Sequence, residues 1–139
     1  MAIKYQDSLK GVTPDKLRGF FVDWPNPPSS VSHLRLLKNS GLVMLAVDDK
    51  SGKVIGFITA ITDKVLSAYI PFLEVLPGYQ GRGIGGKLVK RMLRRLSKAY
   101  MVDLICDVPL QKFYKRLGMF PAAGMMTRNY RSQSGAKIC

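Results

Sequence analysis

The stretch Phe72-Leu-Glu-Val-Leu-Pro-Gly-Tyr-Gln-Gly-Arg-Gly-Ile-Gly-Gly-Lys87 constrains this chain more than any other. Phe72 to Leu76 reads as a short buried strand, Pro77-Gly78 as a corner, and a glycine-rich loop then leads into a helix. Gly81, Gly83, Gly85 and Gly86 remove side chains where something must come close to the backbone. The helix that follows offers unpaired N–H groups and the positive end of its dipole to an anion. A strand that feeds such a loop at a helix start is a cradle for phosphate or pyrophosphate.

Three kinds of cradle compete for it. A Walker loop matches the spacing from Gly81 to Gly86-Lys87, but Leu88 stands where the metal-binding hydroxyl belongs. A dinucleotide fingerprint fits Gly81-x-Gly83-x-x-Gly86, with Asp103 about 20 residues on. Against it, Pro77 to Gln80 separate the strand from the first glycine, and too little chain follows Asp103 to complete that domain. The third is Gln80-Gly-Arg-Gly83-Ile-Gly85, which matches a Gln/Arg-x-x-Gly-x-Gly/Ala signature. A second segment, Lys112-Phe-Tyr-Lys-Arg-Leu-Gly-Met-Phe120, follows about 30 residues later. With both segments in that order, the chain resembles the GNAT superfamily of acyl-CoA-dependent N-acyltransferases. The second segment departs from the family's Phe-Tyr-x-x-x-Gly-Phe pattern by Met119 before the aromatic.

At 139 residues with 47% apolar and 22% charged residues, one globular domain is expected, residues 1–131, with a polar tail at 132–139. No apolar run reaches the ~18 residues of a membrane span, and the start is unlike a signal peptide. Cys106 and Cys139 have no ligand-like spacing with the lone His33, so a reduced, cytoplasmic protein without a metal site is expected. Lys and Arg outnumber Asp and Glu by 22 to 9, a net +13. Such a field draws polyanions: nucleic acid, an anionic membrane surface or an anionic cofactor such as coenzyme A.

Along the chain, Ile3 to Gln6 suggests a first strand. Thr13-Pro14-Asp15 predicts a helix running to Asp23 or Trp24, with Leu17, Phe20 and Phe21 on one face. The proline-stiffened stretch Trp24 to Ser30 leads to a helix over Val31 to Asn39, capped by Ser29 or Ser30 and closed by Gly41, with His33 on its surface. Leu42 to Val47 and Val54 to Ile61 form a hairpin around Asp48 to Gly52. Ser67 to Leu76 predicts a long strand. Ile84, Leu88, Val89, Met92, Leu93 and Leu96 mark the apolar stripe of the signature helix. Tyr100 to Cys106 reads as a buried strand, Pro109 to Leu117 as a short helix ended by Gly118, and Gly124 to Tyr130 as a final strand. The fold class is α/β: a GNAT-like mixed, mostly antiparallel sheet with helices on both faces.

The resemblance implies a chemistry. Backbone N–H groups from Gln80, Gly81, Arg82, Gly83, Ile84, Gly85, Gly86 and Lys87 would take the coenzyme A pyrophosphate, with Phe113 beside them. Gly85 or Gly86 could equally serve close helix–sheet packing. Leu73 and Val75, on a strand that splays from its neighbour in this family, would pair with the pantetheine arm, and one of their N–H groups would stabilise the oxyanion. Tyr114 stands where the family often places the hydroxyl that protonates the departing thiolate; the alternative is a tyrosine that packs its ring and wets its hydroxyl. Glu74, the only glutamate, is either the base for the incoming amine or the partner of a basic group. Asp107 is a second candidate base, or a turn cap before Pro109. Cys106 reads as a core cysteine rather than a nucleophile. Trp24, Asn26 and Tyr69 would line the acceptor site, with Trp24 in the core as the alternative.

The implied activity is an N-acetyltransferase that moves acetyl from acetyl-CoA to a small-molecule or peptide amine by direct attack, with Tyr114 as general acid and no metal. Two rivals stand beside it. One is a toxin-type member acetylating aminoacyl-tRNA, which the acid-free face of Lys87, Lys90, Arg91, Arg94, Arg95 and Lys98 would suit. The other is a non-catalytic module binding coenzyme A or nucleic acid. A homodimer is left open.

Overall fold

Leu42–Asp48 (β2) and Val54–Thr62 (β3) are long apolar runs rich in β-branched residues, and they pair antiparallel. Asp48 closes the turn between them: Oδ1 accepts from Lys50 N at 3.1 Å and Oδ2 from Ser51 Oγ at 3.0 Å. In the computed structural model, which describes residues 2–139, Ile3–Gln6 (β1) adds to the outer side of β2. Ser67–Tyr69 (β4) and Leu73–Val75 (β5) both pair antiparallel with β3, at successive places along one edge. Met101–Asp103 (β6) runs parallel to β4 and to nothing else. The result is a six-stranded, mostly antiparallel sheet.

Strand alternation sends successive side chains of β3 to opposite faces. Gly56 looks toward the helix Ile84–Arg95 (α2): a Cβ there would lie 3.1 Å from Leu88 and 3.4 Å from Ile84, so glycine lets the helix seat closely on the sheet. Phe57 looks the other way, onto Phe20 and onto His33 of the helix Ser30–Asn39 (α1), with ring centroids 5.1 and 4.5 Å away. Helices therefore cover both faces, and Leu45, Ile55, Phe57, Ile58, Leu88 and Met92 are fully buried between them. Among the described residues no helix is long and apolar enough to cross a membrane.

Several expectations are corrected. The helix expected from Thr13 is one tight turn, Pro14–Leu17; the chain leaves it through Gly19 at φ +97° and Phe21 at φ +61°, although Leu17, Phe20 and Phe21 are buried as foreseen. The long strand Ser67 to Leu76 is broken at residues 70–72, around Pro71, into β4 and β5. The strand expected over Tyr100 to Cys106 is only Met101–Asp103 and is half-exposed. Gly124 to Tyr130 forms no strand. His33 is not on the surface: it is 1% exposed.

Candidate active site

The site begins where the chain passes from β4, which is paired with β6, to β5, which is not. On either side of β5, Phe72 O accepts from Thr59 N and Leu76 N donates to Ile55 O. Main-chain groups of an antiparallel strand alternate sides, so those of Leu73 and Val75 point away from β3. Val75 O accordingly accepts from Gln80 Nε2 at 2.9 Å. Among the described residues β5 pairs with no strand on that side, because β6 pairs with β4. The β4–β6 ladder ends at the Tyr69–Asp103 pair, with Ile70 N donating to Asp103 O at 2.9 Å. The gap beyond it, between the unpaired side of β5 and β6, is the crevice.

The glycine loop frames one end of the crevice. Gly81 and Gly83 sit at φ +78° and +80°, backbone that glycine adopts without strain, and Gly83 is the residue before the first turn of α2. The first intrahelical bond runs from Lys87 N to Gly83 O, so the amides of Ile84, Gly85 and Gly86 precede it and face out of the helix. A Cβ at Gly81, Gly83 or Gly86 would meet nothing within 4 Å, which leaves open space against these amides. Gly85 differs: a Cβ would lie 3.6 Å from Phe113, so this glycine lets the Phe113 ring sit against the helix start. The Arg82 guanidinium lies 5.6 Å from the Tyr79 ring centroid. The residues fit a pyrophosphate at the loop and an extended amide-bearing arm along β5.

Phe113 and Tyr114 lie on the helix Gln111–Lys115 (α3), ring centroids 4.9 Å apart. Tyr114 lines a cavity of about 490 Å3 together with Tyr69, Asp103, Cys106, Gln111 and the stretch 119–126. Burial, with the neighbouring Cys106 second, pushes the Tyr114 hydroxyl up to about 12. It therefore keeps its proton throughout the neutral range and is available as a donor. Cys106 is half-buried and lines this cavity rather than sitting in the core. Asp107 is exposed at the start of the turn Val108–Leu110, its carbonyl accepting from Leu110 N at 2.9 Å, and its side chain caps nothing.

Glu74 stands directly across from Phe57 and so shares the sheet face turned away from α2. Its partner is backbone, not a basic side chain: Oε1 accepts from Phe21 N at 2.8 Å and Oε2 from Val22 N at 3.3 Å. The carboxylate thus holds the left-handed turn at Phe21, where a bulky residue would otherwise be strained. Phe21, Trp24 and Phe72 cluster beside it in tilted and edge-to-face contacts, with the Trp24 ring centroid 4.9 Å from Phe21 and 6.5 Å from Phe72; Trp24 is 37% exposed and so not in the core. Asn26 N donates to Gln133 Oε1 at 2.8 Å. The predicted residues therefore fall into three groups: Leu73, Val75 and the loop on the crevice, Tyr69 and Tyr114 on the cavity, and Glu74 with Trp24 and Asn26 at the proline-rich loop. The stretch 119–126 was missed as a wall: in sequence Met119 and Phe120 read as the end of the segment 112–120, and residues 124–126 as the start of a strand.

Three of the six cations on the acid-free face, Lys87, Arg91 and Arg95, meet residues on β1 or just after it. Arg95 Nη1 meets Asp7 Oδ2 at 2.7 Å, and Arg91 and Lys87 lie 4.7 and 6.0 Å from the Tyr5 ring centroid. Among the described residues no group of three or more His, Cys, Asp or Glu is placed to hold a metal ion.

Comparison with known proteins agrees with this geometry. The sequence profile of the Acetyltransferase (GNAT) family matches residues 9–119. The crystal structure of an inferred acetyltransferase from Deinococcus radiodurans R1 is 44% identical, covers 97% of this chain and 94% of its own, and superposes with a TM-score of 0.94. A Glycine max protein named histone acetyltransferase TAP1 is 31% identical over 108 residues, 70% of this chain and 46% of that protein. The chain spans about half the length of the curated relatives it matches. The structure of AAC(6')-Iy, in complex with the bisubstrate analog CoA-S-monomethyl-acetylneamine, shares the fold at 17% identity, with a TM-score of 0.68 over 93% of this chain and 98% of its own. The chain belongs to the GNAT family of acetyltransferases.

Proposed function

We propose that residues 1–131 form one catalytic domain that transfers an acetyl group from acetyl-CoA to a primary amine by direct attack. The observation that carries this reading is the parting of β5 from β6 beside the glycine loop. It leaves the main-chain groups of Leu73 and Val75 turned into a crevice whose end is a helix N-terminus. Gly81 to Gly86 would hold the pyrophosphate through their amides, with Arg82 and Lys87 supplying positive charge. Leu73 and Val75 would pair with the pantetheine arm, and Phe113 would pack beside it. Bound there, acetyl-CoA supplies an activated thioester.

An outward N–H of Leu73 or Val75 then faces the charge that develops on the carbonyl oxygen. A lysine-like amine has a pKa of about 10.4 and must lose a proton before it attacks. Asp107 and Glu74 are the carboxylates proposed for that step; Glu74, whose oxygens already accept from Phe21 N and Val22 N, would act through an intervening water. Tyr114 gives its proton to the sulfur as the bond to carbon breaks; a phenol held near 12 lets go only once negative charge has built up there. Trp24, Asn26 and Tyr69 are proposed on the acceptor side.

The test is release of the free coenzyme A thiol in the presence of a panel of primary amines, with the acetylated product confirmed by mass. Amine-dependent thiol release that drops in Tyr114→Phe supports the proposal. Thiol release independent of every amine would refute it.

A further inference from the structure

The cavity of about 490 Å3 beside Tyr114 has two unlike walls. One is sheet and helix: Tyr69, Asp103, Gln111 and Tyr114. The other is one stretch of chain, 119–126, that belongs to no strand or helix. Its large side chains are not spent on the core: Phe120 is 86% exposed, Met125 96% and Met126 63%. Neighbouring large apolar groups left exposed around a cavity mark a place where something apolar docks. Further on, Gln133 Oε1 accepts from Asn26 N at 2.8 Å, joining this segment to the proline-rich loop. Gly135 rests against α1, where a Cβ would lie 3.6 Å from Arg35 Nη2. The segment therefore runs as a strap from the end of α3, past the reaction cavity, to the loop that carries Trp24. It is held there by a side-chain hydrogen bond instead of sheet pairing.

We infer that residues 119–133 form a movable specificity wall, and that the acceptor selected by it is a primary amine on a small apolar or aromatic body. This rests on the acetyl transfer proposed above, with the amine held on the Tyr69 side. Trp24 and Asn26 stand at the strap's far end, and Glu74 and Asp107, which do not line the cavity, would take the amine's proton through water. Three observations bear on the class of acceptor. The volume is that of a small-molecule pocket. Met119, Phe120, Met125 and Met126 make the strap's lining apolar, and methionine repacks around varied shapes, so the wall favours a class of bodies over one compound. Asp103 is the one carboxylate on the lining and Lys115 the one cation. A lone carboxylate suits a single ammonium group; a polyamine would bring further charges with no partner. The strap moves because it has few bonds and little burial, the low end of local stability.

The experiment uses the 139-residue chain with acetyl-CoA and three probe amines: phenethylamine, spermidine and glycine. The wild type should prefer phenethylamine by about 10-fold or more in kcat/KM over each of the others. Met126→Glu, at an exposed position, should erase the preference over spermidine. Gln133→Ala should raise the phenethylamine KM by about 2- to 10-fold, the worth of one neutral hydrogen bond, and leave the acetyl-CoA KM unchanged. Gln133→Glu keeps the accepting oxygen and should restore the wild-type KM. A wild-type preference for spermidine or glycine, variants that shift all amines alike, or a changed acetyl-CoA KM would overturn the wall while leaving acetyl transfer standing. Failure of acetyl-CoA to bind would overturn both.

Discussion

His33 gives the sharpest physical test of the fold. The imidazole sits among Phe20, Phe21 and Phe57, with ring centroids 4.5 to 5.3 Å away, and neither ring nitrogen has a hydrogen-bond partner. Burial pushes it down to about 4 from its ordinary 6.5. Above pH 6.5 both folded and unfolded chains hold it neutral, so it adds no pH dependence. Between 6.5 and 4 the unfolded chain takes up a proton that the folded one does not, and stability falls as pH falls. Below 4 the loss is complete. At 1.36 kcal/mol per unit, the loss between pH 7 and pH 5 is about 2 kcal/mol. With a urea slope of about 1–3 kcal/mol per M, the unfolding midpoint should drop by roughly 1 M. Asp63, held well below the usual carboxylate range by amides of Val65, Leu66 and Ser67, is lost as a stabiliser only below about pH 4 and is silent in this window. The assay is urea unfolding at pH 7 and pH 5 for wild type and His33→Leu. The variant should lose the pH dependence, and removing two unpaired buried nitrogens should keep it at least as stable at pH 7. Equal pH dependence in the two proteins would refute the reasoning.

Tyr114→Phe should leave acetyl-CoA affinity nearly unchanged and lower turnover by roughly 10- to 1000-fold, read from steady-state kinetics. Because the hydroxyl is held near 12, wild-type kcat should not fall between pH 8 and 10 on its account; a loss of rate there that Tyr114→Phe abolishes would count against the assignment. Gly83→Asp should abolish acetyl-CoA binding in a titration, with retention of the fold checked by circular dichroism, since it brings negative charge to the loop and strains a backbone held at φ +80°. Glu74→Ala strips the acceptor from Phe21 N and Val22 N and should cost about 1–3 kcal/mol in urea unfolding; Glu74→Gln, with one oxygen left, should cost less.

What sequence could tell tracks how local each feature is. The glycine loop and α2 were legible because a left-handed glycine at Gly83 and an apolar stripe from Ile84 to Met92 need only their neighbours. That the main-chain groups of Leu73 and Val75 share one side follows from strand alternation, a local rule; that this side is left unpaired does not, because it depends on Met101–Asp103, about 30 residues away, pairing with β4. The helix expected after Thr13 failed because its end is set at a distance: Glu74, 53 residues beyond Phe21, holds the turn that replaces it. His33 was misjudged although Leu37, four residues on, shares its buried face; an imidazole gives no sign that its neighbours are aromatic. Gly124 to Tyr130 has strand-like residues, but a strand needs a paired edge, and composition cannot supply one. The Asn26–Gln133 bond joins residues 107 apart, beyond the reach of any pattern.

The central claim is that the crevice between β5 and β6 with the Gly81–Gly86 loop is an acetyl-CoA site. Calorimetric titration of the purified chain with acetyl-CoA, with NADH and ATP as controls, tests it most directly. Micromolar binding of acetyl-CoA, with neither control competing, is the predicted result. No binding, or a preference for NADH, would contradict it.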